Sequence, residues 1–181
     1  MKQKSRWIAA LNILLVLACA ALQIVSLTVD KSSFEIFVSA IIGVALVYAI
    51  IYAFNRYRKG ASYSYKIYFV LLAFAEALRV IRELFPENPE ETMGPVALVA
   101  TALSVACTLI LAAVPDLGKK KSYIACGCLM LANLCRMILA LTQDGVHNGL
   151  FSAEARLLCA ILAGVMIYEK YQDKAERHKN D

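Results

Sequence analysis

Four ionisable residues, Glu76, Arg79, Arg82 and Glu83, follow directly on the apolar run Ile67 to Phe74. On a helix Glu76, Arg79 and Glu83 fall at i, i+3 and i+7, so they share one face. Arg79 and Glu83 are also four apart, a spacing at which a guanidinium and a carboxylate meet. A charge at membrane depth is costly and faces a partner or a water-filled cavity rather than lipid. Arg136 and Asn133 interrupt a second apolar run, and Gln23 a third. Two chemistries fit this set. In the first, Arg79 and Arg136 are fixed cations for a carboxylate or phosphate, which the planar guanidinium fork matches. Glu76, Glu83, Asn133 and Gln23 then complete an outward-open ligand pocket. In the second, Glu76 and Glu83 neutralise the arginines, and the amides complete hydrogen bonds between helices. Counting Glu76, Arg79, Arg82, Glu83, Arg136, Glu154 and Arg156 leaves one positive charge over, which favours an anionic ligand. Snorkelling of Arg82 and Arg156 to the surface would remove that surplus.

The elements that position these residues are membrane crossings. The chain has 181 residues, of which 60% are hydrophobic, and a mean hydropathy of +0.61. That is far more apolar than a soluble domain. Six apolar runs of bilayer length lie at about 7–27, 34–54, 66–85, 95–114, 123–141 and 150–168. The expected fold is a single all-α, multi-pass membrane domain over 1–181, with six transmembrane helices. Pro86, Pro89, Pro115 and Gly118 break the runs, and Pro95 suits a first helical turn. Val16-Leu17-Ala18-Cys19 loosely matches a lipoprotein cleavage site. The apolar run continues past Cys19, so a retained first helix is expected.

Charge sets the orientation. Lys2, Lys4 and Arg6 precede the first crossing; Arg56, Arg58, Lys59 and Lys66 separate the second from the third. Lys119, Lys120 and Lys121 precede the fifth, and Lys170, Lys174, Arg177 and Lys179 follow the sixth. The three opposite loops share one lysine, Lys31, and are otherwise acidic. The positive-inside rule then places both termini and the basic loops in the cytoplasm of a plasma membrane. Glu76 lies roughly 15 Å along its helix from Lys66, near mid-bilayer, with Arg79 and Glu83 farther out. The inner half is expected to be mostly Leu, Ile, Val, Ala and Tyr.

Gln23, Arg79 and Arg136 are spaced by 56 and 57 residues. Each ends an odd-numbered crossing in a similar context, as three repeated helical hairpins would. Such a repeat would bring crossings one, three and five together at these residues. Even loop lengths in any six-helix protein give the same period, and both readings stand.

Other chemistries are weaker. Six cysteines are present, including Cys126, Cys128 and Cys135, but no Cys-x-x-Cys occurs and no histidine is near. Cysteine is also a small hydrophobe, so core packing is expected and no metal site. His147 and His178 read as surface residues. No zincin, serine-hydrolase or phosphate-loop motif occurs. No catalytic residue and no cofactor is expected, and an enzyme using Glu76 or Glu154 as a base ranks third. The net charge of +5 reflects the basic loops rather than a nucleic-acid surface. In size, crossings and inward termini the chain resembles the substrate-binding membrane subunits of vitamin uptake systems. That likeness is architectural and carries no motif. The leading expectation is a membrane protein that binds or transports a small polar, anionic solute. The alternative is a module that assembles with a partner membrane protein or with itself, its charges being structural.

Overall fold

Helices follow the apolar runs closely. The computed structural model describes residues 2–29, 33–59, 65–85, 94–114, 117–142 and 147–180. They form α1 (Lys2–Val29), α2 (Ser33–Lys59), α3 (Lys66–Leu84), α4 (Gly94–Ala113), α5 (Lys119–Thr142) and α6 (His147–Asn180). No strand occurs among the described residues. Among the described residues, five spans are long and apolar enough to cross a membrane: Ala10–Thr28, Ile36–Asn55, Gly94–Ala113, Lys119–Thr142 and Phe151–Gln172. α3 has the length, at 19 residues, but Glu76, Arg79, Arg82 and Glu83 lower its apolarity.

The helix ends differ from expectation where the basic residues lie. Arg56 to Lys59 continue α2, and Lys119 to Lys121 form the first turn of α5, rather than loops. Lysine and arginine are good helix formers, so a helix outlasts its apolar stretch until a breaker stops it. Gly118 accepts the Ser122 N–H at 3.1 Å and anchors that first turn. Gly94 opens α4 with φ at 81°, a left-handed conformation that suits glycine, and Pro95 follows in the first turn.

Each helix packs against its neighbours in sequence, and α1 packs against α6, which closes a ring of antiparallel neighbours. The amino ends of α1, α3 and α5 therefore lie with the carboxyl ends of α2, α4 and α6. This end carries the basic residues and is termed the basic end; the other is the far end. Crossings one, three and five do not form an inner set. α6 is the innermost helix instead: every residue from Phe151 to Gln172 is buried or half-buried. Across the interior it meets α3, where the Tyr68 hydroxyl donates to the Cys159 carbonyl at 2.9 Å. Tyr68, Phe69, Leu111, Leu129, Leu162 and Met166 fill the middle of the ring. Alanines such as Ala45, Ala49, Ala160 and Ala163 are buried on α2 and α6, where small side chains let helices approach closely.

The outside of the ring is apolar. Leu14, Ile24, Val44, Val70, Val99 and Ile124 are each more than half exposed. Such a continuous apolar surface is out of place in water and suits a hydrocarbon solvent. The basic half of the interior is less apolar than expected, because Asn12, Ser122 and Glu169 are buried there.

Candidate functional site

Helical register brings the far-end charges together. On α3, Glu76, Arg79 and Glu83 share the face turned towards α5 and α6, as their spacing requires. On α6, Ser152 and Arg156 are one turn apart and face α3; Arg136 reaches in from α5. Glu76 is 2% exposed, Arg79 4%, Arg136 3% and Arg156 3%. Arg156 Nη1 lies 4.0 Å from Glu76 Oε2. Arg136 Nη2 lies 3.5 Å from Glu83 Oε1, which is slightly more exposed. Arg79 Nη2 donates to Ser152 Oγ at 2.8 Å. The same hydroxyl accepts from Arg156 Nη2 at 3.4 Å, while Arg156 Nε donates to the Ser152 carbonyl at 3.1 Å. Ser152 therefore bridges two guanidiniums on different helices.

Two of the expected site residues make their bonds elsewhere. Gln23 Nε2 donates to Ser39 Oγ, tying α1 to α2. Asn133 Nδ2 donates to Ser104 Oγ at 3.2 Å and back to the Leu129 carbonyl at 2.9 Å. Glu76, Arg79, Glu83 and Arg136 thus gather around α6, with Gln23 and Asn133 flanking at the α1–α2 and α4–α5 seams. Gln23, Arg79 and Arg136 are all buried, yet their described bonds go to different partners: a serine of α2, a serine of α6 and a glutamate of α3.

The sequence counts Arg156 among the far-end charges, with snorkelling to the surface as its alternative; the structure buries it, and Ser152 was passed over. A serine four residues before an arginine, in the first turns of an apolar helix, is the signal that could have found them. Arg156 lies only roughly 8 Å from Phe151, the far-end start of the apolar span, within snorkelling reach, yet its contacts with Glu76 and Ser152 hold it inside.

Around this cluster, three guanidiniums and two carboxylates converge from three helices. Such a set can fix a carboxylate or phosphate through paired N–H donors, or it can lock α3, α5 and α6 together. Among the described residues, no group of three or more His, Cys, Asp or Glu side chains could hold a metal ion. The cysteines are unpaired thiols; Cys19 and Cys159 bring their sulfurs within 3.9 Å inside the core. Comparison with family models, with curated proteins and with solved structures finds no match to this chain.

Proposed function

We propose that the chain is a six-crossing protein of the cell membrane that binds or transports a small polar, anionic solute at the far-end cluster. In this reading α3 is the sixth crossing, both termini are cytoplasmic and the cluster opens to the outside. One observation carries it: Arg79, Arg136 and Arg156, from three helices, turn into one buried region. Intramembrane arginines mark sites for anions because a guanidinium is weakly hydrated and offers paired donors. Glu76 and Glu83 hold the fork orientations, and Ser152 sets the spacing between Arg79 and Arg156.

A second reading rests on the contacts themselves. The pairs Arg156–Glu76, Arg136–Glu83 and Arg79–Ser152 each join two helices. They would serve a non-catalytic module that assembles with another membrane protein.

Thermal unfolding of the purified chain in detergent, against small carboxylates and phosphate monoesters, separates the two. A true ligand at about a hundred times its Kd adds roughly 2.7 kcal/mol of stability. Arg79→Lys should abolish that gain while leaving the ligand-free protein folded. No stabilisation by any anion of the panel would leave the assembly reading. Reporter fusions test the topology: Lys59, Lys120 and the carboxyl terminus should report cytoplasmic, and Glu90 and Asn148 external. An external reporter at Lys120 would overturn the six-crossing arrangement.

A further inference from the structure

α6 is set inward between α1 and α5, and this leaves a groove on the outer surface of the ring at the basic end. The groove has a volume of about 370 Å³, within the size range of small-molecule sites. Its walls are Leu11 of α1, Cys126, Gly127 and Met130 of α5, and Ile161 and Val165 of α6. They are almost wholly apolar. Tyr123 and Tyr168 stand at the basic end of the groove, at the level where tyrosines anchor a bilayer interface. Two glycines shape it. A Cβ at Gly164 would meet the Met130 methyl, the end of a flexible side chain, so glycine there leaves room for Met130 to lie against α6. A Cβ at Gly127 would meet nothing within 4 Å, so its missing side chain leaves open space.

The mouth of the groove is electropositive. Lys119 and Lys120 are exposed and lie one turn before Tyr123, on the same stripe as Tyr123, Cys126 and Met130. They occupy the first turn of α5, which holds no acidic residue. There the helix dipole already favours negative charge, so three consecutive lysines work against helix stability. Glu169 on α6 is buried and does not line the groove. Apolar walls with a cationic rim at interface level match one occupant chemistry: a lipid with an acyl chain and an anionic headgroup.

We propose that this groove is a binding site for an anionic phospholipid, its acyl chain along α6 and its phosphate at Lys119 and Lys120. The site is separate from the far-end cluster and does not depend on the reading of that cluster.

The chain carries its own reporter. Trp7 is its single tryptophan, is 74% exposed, and shares a stripe of α1 with Leu11. The full chain is reconstituted in phosphatidylcholine vesicles containing either brominated phosphatidylglycerol or brominated phosphatidylcholine, and Trp7 quenching gives the relative binding of the two lipids. Phosphatidylglycerol should be preferred by roughly twenty-fivefold, from about fivefold for each of two lysines near the surface. Lys119→Gln with Lys120→Gln should bring that preference close to one; both residues are exposed, so the fold is undisturbed. Gly127→Leu, which fills open space, should also remove the preference while leaving quenching by brominated phosphatidylcholine intact. Equal quenching by both lipids in the unaltered chain would overturn the proposal. So would a preference that persists in Gly127→Leu, because the lysines would then be gathering lipid without the groove. Loss of a cross-linked dimer in Gly127→Leu, with no lipid preference in the parent, would assign the face to a second copy of the chain instead.

Discussion

The two ends of the ring treat their polar groups differently. At the far end, Arg79, Arg136 and Arg156 are withdrawn almost completely from solvent and meet Glu76, Glu83 and Ser152. At the basic end Asn12 and Glu169 are buried too, but Lys170 and the tyrosines beside it lie nearer the surface. Lys170 Nζ donates to Tyr65 Oη at 2.5 Å and lies 4.7 Å from the centre of that ring. Tyr171 and Ser122 share a hydrogen bond of 2.9 Å. Lys170, Tyr65 and Tyr171 are half-buried, so water or headgroups can still reach them. The contrast lies in what solvates the charge. A half-buried ammonium over aromatic faces keeps most of its hydration and costs little. A guanidinium inside the ring must be solvated by groups built into the protein or brought by a ligand. Removing one far-end partner should therefore cost several times more than removing one at the basic end.

The largest effect is expected from Arg156→Ala. It takes the cation from beside the buried Glu76, and breaking a buried pair costs about 3–5 kcal/mol. Chemical unfolding in detergent micelles, followed by helical circular dichroism, measures it. Adding Glu76→Gln should recover part of the loss; no recovery would mean that the 4.0 Å pair carries little of the energy. Ser152→Ala comes next, at roughly 1.5–3 kcal/mol, because one hydroxyl accepts from two charged donors. A loss below about 0.5 kcal/mol would show that the bridge is not a bridge in solution.

How far these sites were legible in the sequence can be judged from single residues. Glu76, Arg79 and Glu83 declared their shared face because three charges in an apolar run leave the helical period visible. Arg136 stood out for the same reason. Ser152, Ser104 and Ser39 did not, since serine is common in apolar helices and its partner is set by packing alone. Arg156 was visible as a charge opening the sixth run, while Ser152, one turn before it on α6, was not. The inward seat of α6 was not read, although its span is less apolar, at a mean hydropathy of 1.6, than the other four at 2.0 to 2.5. Which of six similar helices lies innermost depends on interhelical fit, and apolar sequence says little about fit.

Two smaller predictions sharpen the comparison from the middle of the ring outward. Tyr68→Phe removes the hydroxyl that reaches Cys159 and keeps the ring, at an expected cost of about 1 kcal/mol. If the far-end cluster binds anions as proposed, that response should be unchanged, since only the middle of the α3–α6 contact is touched. Lys170→Gln should be the mildest, about 0.5–1 kcal/mol for a cation over aromatic rings with water access. If it matched Arg156→Ala in the same unfolding measurement, the contrast between the two ends would be lost.

The length of α6 has a mechanical consequence. Its 34 residues amount to about 51 Å, against a hydrocarbon core of about 30 Å. The helix therefore continues past the basic end as a rod, running without a break to Asn180. Arg156 sits on that rod roughly 36 Å from Asn180. A tilt of about 5° pivoting near Arg156 would swing Asn180 by about 3 Å at that lever length. Any tilt of α6 around Ser152 and Arg156 would thus be magnified at its other end.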